Sequence, residues 1–189
     1  DELREALLNV QWLNTADLDL DIDASKVRKL TLSQLASLCA DKVYSKSPHI
    51  FSELVNRDSP SSNSVKARRD LLYAMLNNGS KERLGFDGYP AEASLYHNLL
   101  DVCGLHRQTE DAESKEGALY TFLGPVKGLR NATRAASFVP MWQAAMDLVT
   151  RAKGPVPLTE LYELWQSPPY GIRSGVLPVY WLAFLLANQ

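Results

Sequence analysis

Apolar side chains recur at helical intervals along most of this chain. Leu3, Ala6, Leu7, Val10 and Leu13 share one face at the i, i+3, i+4, i+7 spacing, which predicts an amphipathic helix at the start. Asp17, Asp19, Asp21 and Asp23 then alternate with Leu18, Leu20 and Ile22, a period that allows a short strand. The glycine and closing glutamate of a calcium-binding EF-hand loop are missing there. Thr31 and Gln34 have capping-box spacing ahead of Leu35, Leu38 and Val43, so a helix is expected from about Leu32 to Tyr44, broken by Pro48. A short helix is expected over His49 to Asn56. After the Ser-rich loop at 58–64, Leu71, Leu72, Met75 and Leu76 form the apolar face of a helix over about Val65 to Leu76. Asn77-Asn78-Gly79 stops it. Pro90 suits a first helical turn, and Ala91 to Val102 follows as a helix closed by Gly104.

The pattern changes at Gln108. The stretch 108–117 is polar and acidic, and reads as a linker or mobile loop between an N-terminal helical domain, 1–107, and a C-terminal one, 118–189. In the second domain Ala118 to Leu123 suits a short strand, and Asn131 to Ser137 reads as loop. Helices are predicted over Val139 to Ala152, Leu158 to Trp165 and Val176 to Ala187. The fold class is therefore mainly α: a helical, bundle-like domain with a C-terminal helix-turn-helix or winged-helix-like part and little strand.

Composition narrows the function classes. The 189 residues are 46% hydrophobic and 22% charged, enough apolar material to build a core. Lys and Arg number 20 against 22 Asp and Glu, so no overall positive field draws the chain to nucleic acid, and any such contact must come from a local patch. The apolar run Val176 to Ala187 is shorter than the roughly 20 residues that span a bilayer, so no membrane partner is expected. Cys39 and Cys103 sit in apolar, helix-like surroundings and read as reduced core thiols, which suits a cytoplasmic protein. With no secretory signal and no Met at Asp1, the chain is expected to be an excised fragment of a larger protein or a processed chain.

No complete catalytic motif stands out, and no cofactor or metal is expected. Gly124-Pro125-Val126-Lys127-Gly128 is a tight turn in which Pro125 removes an amide that a phosphate loop would need. Gly171-Ile172-Arg173-Ser174-Gly175 places its serine one position late for a nucleophile elbow. His49, His97 and His106 lack zinc-site spacing. Glu113-Ser114-Lys115 has the spacing of the end of a metal-dependent nuclease motif, but falls in the stretch read as loop. Two basic clusters carry the nucleic-acid alternative: Lys66, Arg68 and Arg69, and Lys127, Arg130 and Arg134. The final helix carries no charge, so as a base-reading recognition helix it fails.

A series of short words gives a family resemblance. Ser52-Glu53-Leu54-Val55-Asn56-Arg57, Ser61-Ser62, Ala67-Arg68-Arg69, Leu84-Gly85, Pro90-Ala91-Glu92, Leu95-Tyr96 and Gly104-Leu105-His106 resemble a motif series in large bacterial P-loop ATPases of anti-phage defence. The nearest group by resemblance is the BrxC/PglY-like ATPases of BREX systems. Pro168-Pro169-Tyr170-Gly171-Ile172-Arg173, with Gly175 and Pro178, resembles another segment of the same proteins. The resemblance implies a helical, partly winged-helix-like region outside the nucleotide-binding core. It implies a non-catalytic module contacting double-stranded DNA, sister subunits or other defence-system proteins. Asn56, Arg57, Ser61 and Glu92 match motif positions without a role, and their expected duty is structural. The alternatives are a DNA-binding module acting through 66–69 and 127–134, and a metal-dependent nuclease or hydrolase.

Overall fold

The computed structural model describes residues 31–114, 117–126 and 132–189. The expected helix over Leu3 to Leu13 and the alternating Asp17–Asp23 stretch lie outside the described residues. The chain divides into two compact units, Asp1–Ser45 and Lys46–Gln189.

In the first unit, α1 spans Leu32–Val43. Its start is the expected capping box: Gln34 N–H donates to Thr31 Oγ1 at 3.2 Å, and Thr31 N–H donates to Gln34 Oε1 at 2.9 Å. None of its residues is fully buried.

The second unit is mainly helical, around one small sheet. Helix α2, Ser62–Asn77, starts at Ser61, whose Oγ accepts from Ser64 N–H at 3.3 Å. Ser64, Ala67, Leu71, Ala74 and Met75 are its buried stripe, at the spacing that keeps one helical face inward. Helix α3, Ala91–Tyr96, continues as a wider π turn over His97–Asp101 and closes at Gly104, whose φ of 67° suits glycine. Strands β1, His106–Ser114, and β2, Gly117–Phe122, form an antiparallel hairpin pairing His106 with Phe122 and Gln108 with Tyr120. Helices α4, Ala132–Ser137, α5, Val139–Arg151, α6, Leu158–Gln166, and α7, Leu177–Ala187, complete the unit. Among the described residues no helix is long and apolar enough to cross a membrane.

Three expectations need correction. The stretch 108–117, read as a linker or mobile loop, is largely strand, and the residues on both sides of it belong to one compact unit. Its polarity misled because a hairpin needs only one apolar face, and the partner strand can supply it. The segment 131–137, read as loop, is helical from Ala132. His49 to Asn56 is not a helix. It holds only a turn in which Asn56 N–H donates to Ser52 O at 2.8 Å, while the Asn56 side-chain amide reaches Ile50 O at 3.4 Å. That side-chain bond offers the backbone an alternative to helix.

The core gathers on α7, which has no charged side chain and buries most of one side. Leu177, Val179, Tyr180, Ala183 and Phe184 are buried. Tyr180 packs on Phe138 at 5.1 Å between ring centroids, and Phe184 meets Trp142 at 5.2 Å and Trp165 at 6.1 Å. Tyr180 Oη is buried with no hydrogen-bond partner, and burial pushes its acidity far down. An unpaired buried hydroxyl costs about 1–3 kcal/mol of desolvation. Tyr180→Phe is therefore expected to leave the fold intact and raise its stability by about 1 kcal/mol. Thermal unfolding checks this, and a melting temperature below that of the parent chain would refute it.

Candidate interaction surfaces

The three cations of the first basic cluster are engaged differently. Arg68 turns inward and donates from Nη1 to the Gly175 carbonyl at 2.8 Å. Lys66 and Arg69 flank Asp70, at 3.8 Å and 3.4 Å from its carboxylate. Of the second cluster, Lys127 and Arg130 lie outside the described residues. Arg134 lies over the Phe51 ring, 4.3 Å from its centroid, a cation–π geometry.

The resemblance positions are placed as follows in the fold. Ser61 caps α2, Asn56 holds Ile50 O, and Glu92 sits in the first turn of α3, where a carboxylate complements the helix dipole. Arg57 contributes its main-chain carbonyl, which accepts from Gly175 N–H at 2.8 Å, while Arg173 bonds Asp58 at 2.6 Å. The loops 55–60 and 171–176 are thereby zipped together. Ser174 Oγ accepts from Gln166 at 2.9 Å, a turn contact rather than a nucleophile's setting. Glu113 and Ser114 end β1, contrary to the expected loop, and Lys115 is outside the described residues. Among the described residues no group of three His, Cys, Asp or Glu could hold a metal ion. Cys39 and Cys103 are free thiols, and burial pushes the Cys103 thiol up to about 12.

Two of the concave surfaces lie on the second unit. A groove of about 520 Å3 is lined by Phe51, Ser52, Leu54, Asn56, Arg57 and Asn98, among others, and its Phe51 ring is 61% exposed. A second, of about 600 Å3, lies between the end of α5 and the start of α6 and carries both signs of charge, Asp147 and Glu160 with Arg151 and Lys153.

Sequence reading missed the loop before α3. Arg83 and Leu84 have φ of 49° and 54°, left-handed conformations that cost non-glycine residues about 1–2 kcal/mol each. Gly85 and Gly88 follow at 73° and 66°. The Arg83 guanidinium donates to Gly88 O at 2.9 Å and sits 5.8 Å from the Tyr89 ring centroid. The glycine–aromatic–proline run 85–90 was the available signal.

His106 ties the hairpin to the helices. It is 1% exposed. Its Nε2–H donates to Gly79 O at 2.8 Å, which leaves Nδ1 to accept from Tyr96 Oη–H at 3.0 Å. Rings of Tyr120 and Phe122 pack against it. Burial lowers its pKa from the ordinary 6.5, against smaller opposing effects of the Gly79 hydrogen bond and Asp101. The folded chain thus resists the proton that the unfolded chain accepts. Stability is full above 6.5 and is lost as pH falls below it, by at most about 1.4 kcal/mol per unit. Urea denaturation between neutral and mildly acid pH should show this slope in the parent chain and a reduced one in His106→Gln. Equal slopes would contradict it.

Comparison with protein-family models, with curated proteins and with solved structures finds no match to this chain.

Proposed function

We propose that the chain is a non-catalytic interaction module of a larger bacterial phage-defence ATPase, acting in the cytoplasm through protein contacts. The groove beside Phe51 carries this reading: exposed Phe51 and Leu54 stand beside amide and hydroxyl groups, the mixture that protein interfaces use. The resemblance of 52–57, 61–62, 67–69 and 168–175 to BREX ATPase segments supports the parent class. A winged-helix-like role for the C-terminal part is proposed for architecture alone, because α7 buries the face that would have to read bases.

Double-stranded DNA is the second reading. It is weakened by the engagement of Arg68 with Gly175 and of Lys66 and Arg69 with Asp70. Two experiments separate the readings. In the full-length protein, Phe51→Asp with Leu54→Asp should abolish co-elution with its assembly partners while the fold persists, and undiminished assembly would sink the protein-contact reading. Duplex DNA anisotropy at about 50 and about 200 mM salt should show no tight binding. Affinity falling about a thousandfold across that range, and lost in Lys66→Ala/Arg69→Ala, would establish the DNA reading instead.

A further inference from the structure

The groove beside Phe51 is built on a segment pinned at several points. His49 N–H donates to Ser137 Oγ at 2.9 Å, Asn56 N–H to Ser52 O at 2.8 Å, and Gly175 N–H to Arg57 O at 2.8 Å. Val55 is fully buried, and Arg134 lies over the Phe51 ring. Helix α3 and its π turn add Ser94 and Asn98 to the lining. Polar groups along this groove have no partners within the chain. Ser52 is 7% exposed and lines the groove, yet its hydroxyl bonds to nothing among the described residues. Buried polar groups are rarely left so. The Ser94 and Asn98 side chains are also unbonded among the described residues. Glu53 and Arg57 form no ion pair there, although four positions apart, a spacing that pairs side chains only on a helix.

Enclosure and charge select the occupant. Small molecules bind where most of their surface is enclosed, whereas here the Phe51 ring is 61% exposed and Leu54 is 46% exposed. A phosphate backbone calls for a surplus of cations, and this lining carries one charge of each sign, Glu53 and Arg57. A polypeptide main chain presents donors and acceptors together, and a carboxamide such as that of Asn98 can serve both. We infer that the groove holds an extended segment of a partner polypeptide. An apolar side chain of that segment lies on Phe51 and Leu54, and one of its peptide units bonds the Asn98 carboxamide and the Ser52 hydroxyl. A basic residue of the segment meets Glu53 and an acidic one meets Arg57. Because the groove is held in place before binding, little freedom is lost in forming these contacts. The inference rests on the protein-contact reading of the same groove and names its occupant.

The test presents a displayed library of short, unstructured random peptides to the immobilised full chain. Enriched peptides should share a large apolar residue flanked by an acidic residue and a basic one. Affinity of such a peptide should fall about tenfold or more in Phe51→Asp and in Asn98→Ala, and severalfold in Ser52→Ala. Arg57→Glu should exchange the preferred acidic residue for a basic one. Ser52→Ala and Asn98→Ala remove groups that have no partner within the chain, so both should unfold like the parent chain while losing affinity. The proposal is overturned by a library that yields no shared sequence, by peptides that bind Phe51→Asp and Asn98→Ala as tightly as the parent, or by an acidic preference that persists in Arg57→Glu. If no peptide is enriched while assembly of the full-length protein still depends on Phe51 and Leu54, the protein-contact reading stands and the extended segment falls.

Discussion

Gly175→Ala is expected to destabilise the second unit by about 3 kcal/mol or more. A Cβ at this position would lie 2.0 Å from Val55 O, 2.5 Å from Arg57 O and 2.9 Å from Pro60 Cγ. The first two are main-chain atoms, so no rotamer change relieves the overlap. Separating the loops to make room would stretch Gly175 N–H from Arg57 O and carry its carbonyl away from Arg68 Nη1. It would also strain the Arg173–Asp58 pair, which is exposed and contributes little by itself. A urea midpoint lowered by more than about 1 M is the expected reading. Gly154→Ala is the control: its Cβ meets nothing within 4 Å, so its midpoint should stay near that of the parent chain. A Gly175→Ala midpoint equal to the control's would mean that the two loops are not closed on each other.

Trp165→Ala should cost about 3–5 kcal/mol, because it empties a fully buried site that joins three helices. The indole lies on α6, its Nε1–H donates to Met141 O on α5 at 3.0 Å, and its face meets Phe184 of α7 edge-on. Trp165→Phe keeps much of the apolar contact and loses the hydrogen bond, worth about 1 kcal/mol, so its destabilisation should be clearly smaller. Because Trp165 and Phe184 touch, the double variant Trp165→Ala/Phe184→Ala should fall short of the sum of the singles. Urea denaturation of the four chains measures both the cost and the coupling. Full additivity would show that the two rings do not share a site.

Both residues bear on how the chain was legible. Gly175 stood in the sequence as part of a turn and of a resemblance word, with no sign that its hydrogen atoms face the carbonyls of residues 55 and 57. Trp165 closed a predicted helix, but its partner 24 positions earlier could not be read from spacing. The basic cluster 66–69 shows the same limit from the functional side. Three cations in four residues look alike in the sequence, yet half-buried Arg68 donates to a carbonyl 107 residues away while Lys66 and Arg69 stay exposed beside Asp70.

What the sequence determined by itself is the local, periodic part. Thr31 with Gln34 set the start of α1, and the apolar stripes of α5, α6 and the charge-free α7 placed those helices within one residue, while α2 begins three residues before the expected Val65 and leaves Leu76 of its expected face exposed. These succeed because a cap or a stripe involves neighbours within one or two turns. The second strand of the hairpin was expected over 118–123, but its first strand, the helix at 132–137, the non-helical 49–56 segment and the left-handed turn at Arg83–Leu84 were decided only by tertiary structure. The deciding contacts there are not periodic along the chain: β1 pairs with β2, the core admits Val55 and Leu84, and His49 N–H donates to Ser137 Oγ 88 positions away.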